Sequence, residues 1–341
     1  MHTYRGKSAA CLICVFALAV TGCSAGSDGT ADAAAPTPSR AEASSSGSAA
    51  SGTSYAPYVS ATEASANDSA GSPATYNLAF VIADGSDCTP KWNGTTALSD
   101  AAVKSRISKL TQGGASVRVS FGGASGKELA ASCDSASELA RAYGKALDAA
   151  GSAQADFDVE GGQLTDSDSV DLRSEAIALL QKERGDLEVS FTLPVMPSGL
   201  DDDSVALLES ANEHDVQVST VNIMTMNYGE SYDGDMGDYA LASAKATHSQ
   251  LKEIFATSDA TAWKAMALTS MLGTNDVDNE TFTLDDAAQV REFADEKGIG
   301  WVSMWATFRD QRCGAESGDD ELTDCSGVEQ ESGAFAEAFS G

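Results

Sequence analysis

Seven consecutive residues, Asp156-Phe157-Asp158-Val159-Glu160-Gly161-Gly162, set three carboxylates at alternate positions and stop the run with two glycines. In an extended strand, residues i, i+2 and i+4 share a face. Asp156, Asp158 and Glu160 therefore point one way, and Phe157 and Val159 the other. Alternate carboxylates stand about 6 to 7 Å apart, where each like-charge pair costs about 2 to 3 kcal/mol at an effective dielectric of about 20. One of the three must keep a proton near neutral pH, as a general acid requires, and that proton is assigned to Glu160. A calcium loop is the rival use of such a cluster. Its twelfth position, counted from Asp156, should be Glu and is Ser167, and the apolar Phe157 and Val159 suit a strand.

These side chains need a frame, and the chain supplies one by alternation. Strand patterns fall at Ser54 to Ala61, Asn77 to Ala83, Ser116 to Phe121, Ala155 to Glu160, Glu188 to Leu193, Ser219 to Met226, Lys264 to Ser270 and Gly300 to Trp305. Between them lie helical spacings such as Val103, Ile107 and Leu110, or Leu139, Tyr143 and Leu147. Repeated strand-helix units imply a parallel sheet, and eight of them predict a (β/α)8 TIM barrel over 54–313, with a doubly wound open sheet as the alternative. Glu63 to Ala74 resembles a loop more than a helix. In a barrel of this kind the chemistry sits at the C-terminal ends of the strands. Asp158 and Glu160 end strand four, and Gly122 and Gly123 end strand three, where backbone can approach a ligand. No GK[ST] follows those glycines, which argues against a nucleotide loop. Asn275 and Asp276, after strand seven, either line the cleft or make a turn. Trp92 is a sugar contact or a cover for one barrel end.

The ends of the chain differ from this middle. His2, Arg5 and Lys7 precede an apolar run from Ala9 to Val20, and Val20-Thr21-Gly22-Cys23 resembles a bacterial lipobox. The expectation is a signal peptide over 1–22, lipidation at Cys23 and a location on the outer face of the cell membrane, reached only through that lipid. Residues 23–53 are almost all Ser, Ala, Gly, Thr, Asp and Pro. Such a tether spans about 30 Å root-mean-square. Residues 314–341 are expected to form an acidic appendage with a short helix from Gly333 to Phe339.

The net charge is −30, from 21 Lys and Arg against 51 Asp and Glu. Two of the bases and none of the acids lie in the leader, so its removal takes the charge to −32. Such a surface repels phosphate backbones, which argues against nucleic acid and favours a neutral or cationic substrate. Outside the leader and Cys23, four cysteines remain: Cys88, Cys133, Cys313 and Cys325. In an exported chain they predict two disulfides with three possible pairings, of which Cys88–Cys133 and Cys313–Cys325 are favoured. There is no CxxC, and only His214 and His248 remain beyond the leader, so no metal site is expected.

Ser120-Phe121-Gly122-Gly123 resembles the SxGG of family 18 glycoside hydrolases, the chitinases and their relatives. Asp156-Phe157-Asp158-Val159-Glu160 resembles the end of their DxxDxDxE. Asn222 to Tyr228 is similar to the MxYD region of strand six, and Trp305 to the strand-eight tryptophan that floors the sugar subsite. The resemblance runs from about Ser54 to Cys313. It implies a monomeric, cofactor-free hydrolase, endochitinase-like, that cleaves β-1,4-linked N-acetylglucosamine polysaccharide or oligosaccharide. Glu160 would be the acid, Asp158 would orient the substrate's acetamido group, and Asp156 would balance charge behind them. Gly122, Gly123, Met224, Met226, Asn227, Tyr228, Asn275 and Trp305 would bind sugar. Two departures stand out: Ala153 replaces the first Asp, and Met226-Asn227 replaces Tyr-Asp. Moving the register by two restores Tyr228 but reverses its face, so the first register is kept. A sugar-binding lipoprotein without efficient turnover is the alternative function.

Overall fold

The computed structural model describes residues 52–314 and 324–341. The leader, Cys23 and the tether up to residue 51 lie outside the described residues. The barrel strands are β1 (Ser54–Tyr55 and Tyr58–Ser60), β2 (Thr75–Asp84), β3 (Ser116–Gly122), β4 (Gln154–Asp158), β5 (Glu188–Pro194), β6 (Val218–Met224), β7 (Met266–Met271) and β8 (Trp301–Trp305). Pairing is parallel from β2 round to β8.

The ring closes through β1, which Ala56-Pro57 divides into two pieces. Proline has no N–H to give to a ladder, and the strand changes partner there. Ser54 and Tyr55 pair with Trp301 and Val302 of β8, while Tyr58, Val59 and Ser60 pair with Asn77, Leu78 and Ala79 of β2. The result is the (β/α)8 barrel, not the open sheet.

Seven long helices flank the strands among the described residues: α1 (Ala101–Thr111), α2 (Ala136–Ala150), α3 (Ser167–Glu183), α4 (Asp202–Glu213), α5 (Met236–Ile254), α6 (Leu284–Lys297) and α7 (Ala334–Ser340). Between β1 and β2 the chain makes turns, as the sequence suggests. Asp100, Ser135, Asp166, Asp201, Asp235 and Thr283 cap the first six helices with their side chains. Each such cap stabilises its helix by about 1 kcal/mol, so part of the acidic excess has a structural use. The outward faces of the strands meet the helices in an aromatic core. Phe121 and Phe157 stack at 5.3 Å, Phe157 and Phe191 lie 5.7 Å apart, and Tyr143 of α2 packs edge-on against the first two.

Two features depart from the sequence reading. A hairpin strand, Asp87–Trp92, runs antiparallel to β2, and the Cys88–Cys133 disulfide ties it to the loop after β3. Trp92 is fully buried there, so it covers the barrel and does not meet a sugar. The second feature concerns the tail, expected to be an acidic appendage. It carries α7 and is part of the core. Phe335 and Phe339 are fully buried, and Phe339 stacks on Phe282 and Tyr55 at 6.0 and 6.4 Å. Buried Asp310 accepts from the backbone N–H groups of Phe335 and Ala336 at 3.0 and 2.9 Å. The sequence reading followed net acidity and overlooked the Phe335/Phe339 spacing, which sets both rings on one helix face. The Cys313–Cys325 disulfide also holds this region.

Candidate active site

Register places the polar groups in rows around the barrel. Ser120, Asp156 and Ser190 are neighbours across β3, β4 and β5; one step higher lie Gly122, Asp158, Thr192 and Asn222. Asp156 is fully buried and receives four hydroxyls. Tyr58 and Ser120 donate to Oδ2 at 2.9 and 2.6 Å, and Ser190 and Thr192 donate to Oδ1 at 2.8 Å each. Four donors fill the lone pairs of a carboxylate, leaving Asp156 no oxygen to hold a ligand. Beneath it, Asn222 donates to Thr192 at 2.9 Å and accepts from Thr269 at 2.9 Å.

Asp158 is 4% exposed, and its Oδ1 has no hydrogen-bond partner among the described residues. Burial raises its carboxyl well above the ordinary carboxylate range, and the charges of Glu160 and Asp156 raise it further. A hydrogen bond joins it to Glu160, and Asp158 is the donor in that bond, because it raises Asp158 and lowers Glu160. Burial nevertheless leaves Glu160 raised as well. The pair therefore holds one proton, and its resting place corrects the assignment to Glu160. The more deeply buried Asp158 carries it and presents it to Glu160.

Above the carboxylates opens a cleft of about 960 Å³. Trp305, Phe80 and Phe308 are partly exposed along it, with Phe80 and Trp305 stacked at 5.5 Å and Phe308 edge-on to Trp305 at 5.8 Å. The Ala79-Phe80 and Trp305-Ala306 peptide bonds beside two of these rings are cis. Met196, Met224, Met226 and Met271 line the cleft between the rings and strands five to seven. Aromatic faces and thioethers offer flat, polarisable contact to the C–H faces of a sugar.

No family model matches the chain. Over 249 residues it is 34% identical to the probable bifunctional chitinase/lysozyme of Escherichia coli K12, covering 69% of this chain and 28% of that protein. Over 249 residues it is also 33% identical to endochitinase 11 of Metarhizium anisopliae, covering 69% of this chain and 47% of that protein. The chain thus spans well under two thirds of the length of these curated relatives. Among solved structures, the catalytic domain of a hyperthermophilic chitinase from Pyrococcus furiosus superposes with a TM-score of 0.73 at 29% identity. That match covers 84% of this chain and 93% of that one. A family 18 chitinase from Chromobacterium violaceum shares the fold at 13% identity and a TM-score of 0.56. The chain belongs to glycoside hydrolase family 18.

Within this family 18 barrel, the predicted site residues do not all reach the cleft. Asp158, Glu160, Met224, Met226, Asn227 and Trp305 line it. Gly122 and Gly123 do not touch the cleft. A Cβ on Gly122 would run into the carbonyl oxygen of Asp158, and one on Gly123 would lie 2.8 Å from the Phe80 ring. With φ of +95° and +89° they serve the close packing of β3 on β4. Tyr228 points away: it is 4% exposed, accepts from Ser243 at 3.4 Å and packs on Tyr232 and Tyr239. The strand's alternation decides this, since Met224 and Met226 take the inward positions. Asn275 is a turn residue whose Nδ2 donates to the carbonyls of Met271 and Gly273, while its neighbour Asp276 lines the cleft.

Sequence reasoning missed Tyr58, Thr192 and Asn222. The last two interrupt apolar strands with single polar residues, a signal for an inward polar face; Tyr58 carried no such signal. Phe80 and Phe308 look like ordinary core residues in sequence.

Proposed function

We propose that this family 18 barrel hydrolyses β-1,4 bonds between N-acetylglucosamine units of chitin or chitooligosaccharides, with retention of configuration. The observation that carries the reading is the unpartnered, buried Oδ1 of Asp158 beside Glu160 at the foot of an aromatic cleft. An unsatisfied buried carboxylate oxygen costs free energy unless a ligand donates to it, and an acetamido N–H is such a donor.

The acetamido oxygen attacks C1 from below while the C1–O bond to the leaving sugar breaks. The proton held between Asp158 and Glu160 leaves through Glu160 to the glycosidic oxygen. Asp158, now an anion, accepts the acetamido N–H and offsets the positive charge of the oxazolinium. Water then adds to C1, Glu160 takes its proton, and the ring opens. Two protein carboxylates acting from opposite faces of the sugar are excluded by position, since Asp158 and Glu160 rise from one face of one strand. The Pyrococcus furiosus domain was solved in complex with chito-oligosaccharides, which supports the substrate class.

Glu160→Gln should abolish release of nitrophenol from a nitrophenyl chitobioside; full activity in that variant would end the proposal. Met226 in the place of the family's tyrosine favours the second reading, a sugar-binding protein without turnover, and measurable turnover of that substrate excludes it. The lipobox-like Val20 to Cys23 supports anchoring on the outer face of the cell membrane. A Cys23→Ser variant should then move from the membrane to the soluble fraction.

A further inference from the structure

An oxazolinium forms only if the acetamido oxygen is held beneath C1, and an amide oxygen is held by a donor. Most donors that line the cleft are already committed. Tyr58 and Thr192 give their protons to Asp156, and Thr269 gives its proton to Asn222. Asn93 donates to Thr62 at 3.0 Å, and Arg309 donates to the carbonyls of Leu272 and Thr274. Ser125 lies in the loop after β3, on the far side of β4 from β6.

Asn227 differs from all of these. It follows the last inward residue of the strand-six end, with φ of +55°, a left-handed conformation that Asn adopts more readily than most residues. It is exposed and lines the cleft. Its Oδ1 accepts the backbone N–H of Asp276 at 3.1 Å. Only an oxygen can accept from that N–H, so the contact fixes which way the amide is turned. The Nδ2 group is left without a partner among the described residues.

We propose that Asn227 is a catalytic residue of this barrel, its Nδ2 donating to the acetamido oxygen of the sugar being cleaved, with the Asp276 backbone setting the amide's orientation. The assignment rests on the hydrolytic reading above and gives it a donor that Met226 cannot supply. A thioether has no proton to donate, and Asn222, two turns of the strand pattern below, is spent on Thr192.

Asn227→Asp is the discriminating substitution. It keeps size, turn preference and the acceptor for Asp276, and removes only the N–H donor. On nitrophenyl chitobioside, kcat/KM should fall 10- to 100-fold with thermal stability unchanged, and Asn227→Ala should fall as far. Adding a phenol in the double variant Met226→Tyr/Asn227→Asp should restore at least tenfold of the loss, a rescue that a merely structural role would not give. In a Glu160→Gln background, the Kd for chitotetraose measured by calorimetry should weaken three- to tenfold on adding Asn227→Asp. If Asn227→Asp keeps both kcat/KM and affinity within twofold, the Asn227 assignment is wrong and the hydrolytic reading stands. If the unaltered chain neither turns over the chitobioside nor binds chitotetraose, the hydrolytic reading and this assignment fall together.

Discussion

Asp158 donates a hydrogen bond to Glu160, two residues further along the chain, while its own Oδ1 meets no partner among the described residues. One proton is thus shared by two carboxyls that both titrate above the ordinary range, chiefly because burial disfavours their charged forms. The activity follows the singly protonated pair. On the alkaline side the last proton is lost through the raised value, so the alkaline limb of kcat/KM on a chromogenic chitooligosaccharide should lie above the ordinary range of about 4. Glu160→Gln should cost about 100- to 10,000-fold in kcat, the usual worth of a positioned acid. An alkaline limb at the ordinary carboxylate value would contradict the shared proton.

The same shift is a statement about stability. Asp158 binds its proton more tightly folded than unfolded, so its contribution is fully present below the unfolded value of about 3.9 and is lost as pH rises through the raised folded value. Asp158→Asn removes that loss. The variant should melt close to the parent near pH 4 and above it at pH 8, the gap growing by about 1.4 kcal/mol for each unit of upward shift. Calorimetric melting at the two pH values measures it, and an equal gap at both would contradict the buried, raised carboxyl.

Asp156 behaves differently because its surroundings do. Four buried hydroxyls aim at it, and Asp156→Ala leaves each to find another acceptor. At about 1 kcal/mol for each orphaned donor, the substitution should cost about 3 to 4 kcal/mol in urea unfolding. Asp156→Asn, which keeps one acceptor oxygen, should cost about half as much. A neutral Asp156→Ala would mean that the hydroxyls are solvated or paired elsewhere.

The contrast between these two aspartates shows where sequence is legible. Strand alternation gave the eight strands to within about two residues and set Asp156 and Asp158 on one inward face, since the period of two is fixed by the backbone. It could not show that Tyr58, 98 residues upstream of Asp156, would supply a fourth hydroxyl, nor that the proton would rest on the deeper member of the pair. Those outcomes depend on which strands become neighbours when the ring closes at Pro57. The same limit explains the glycines: Gly122 and Gly123 were readable as close-approach positions, but the partner they approach is the protein's own β4 and Phe80, not a ligand.

The tail makes the sharpest test of packing. α7 closes the groove beside β1 and α6 with two phenylalanines that have no exposed surface, and Asp310 fixes its N-terminus. Phe339→Ala removes the ring that stacks on both Phe282 and Tyr55 and should cost about 3 to 5 kcal/mol, the usual range for a large-to-small change at a buried aromatic. Ending the chain after Gly333 should cost at least as much, because it also strips the cover from Phe282 and leaves the buried Asp310 carboxylate without its two backbone donors. Urea midpoints of the two variants would measure this. An acidic appendage could be removed with no change in midpoint, and that result would show α7 to be dispensable to the barrel.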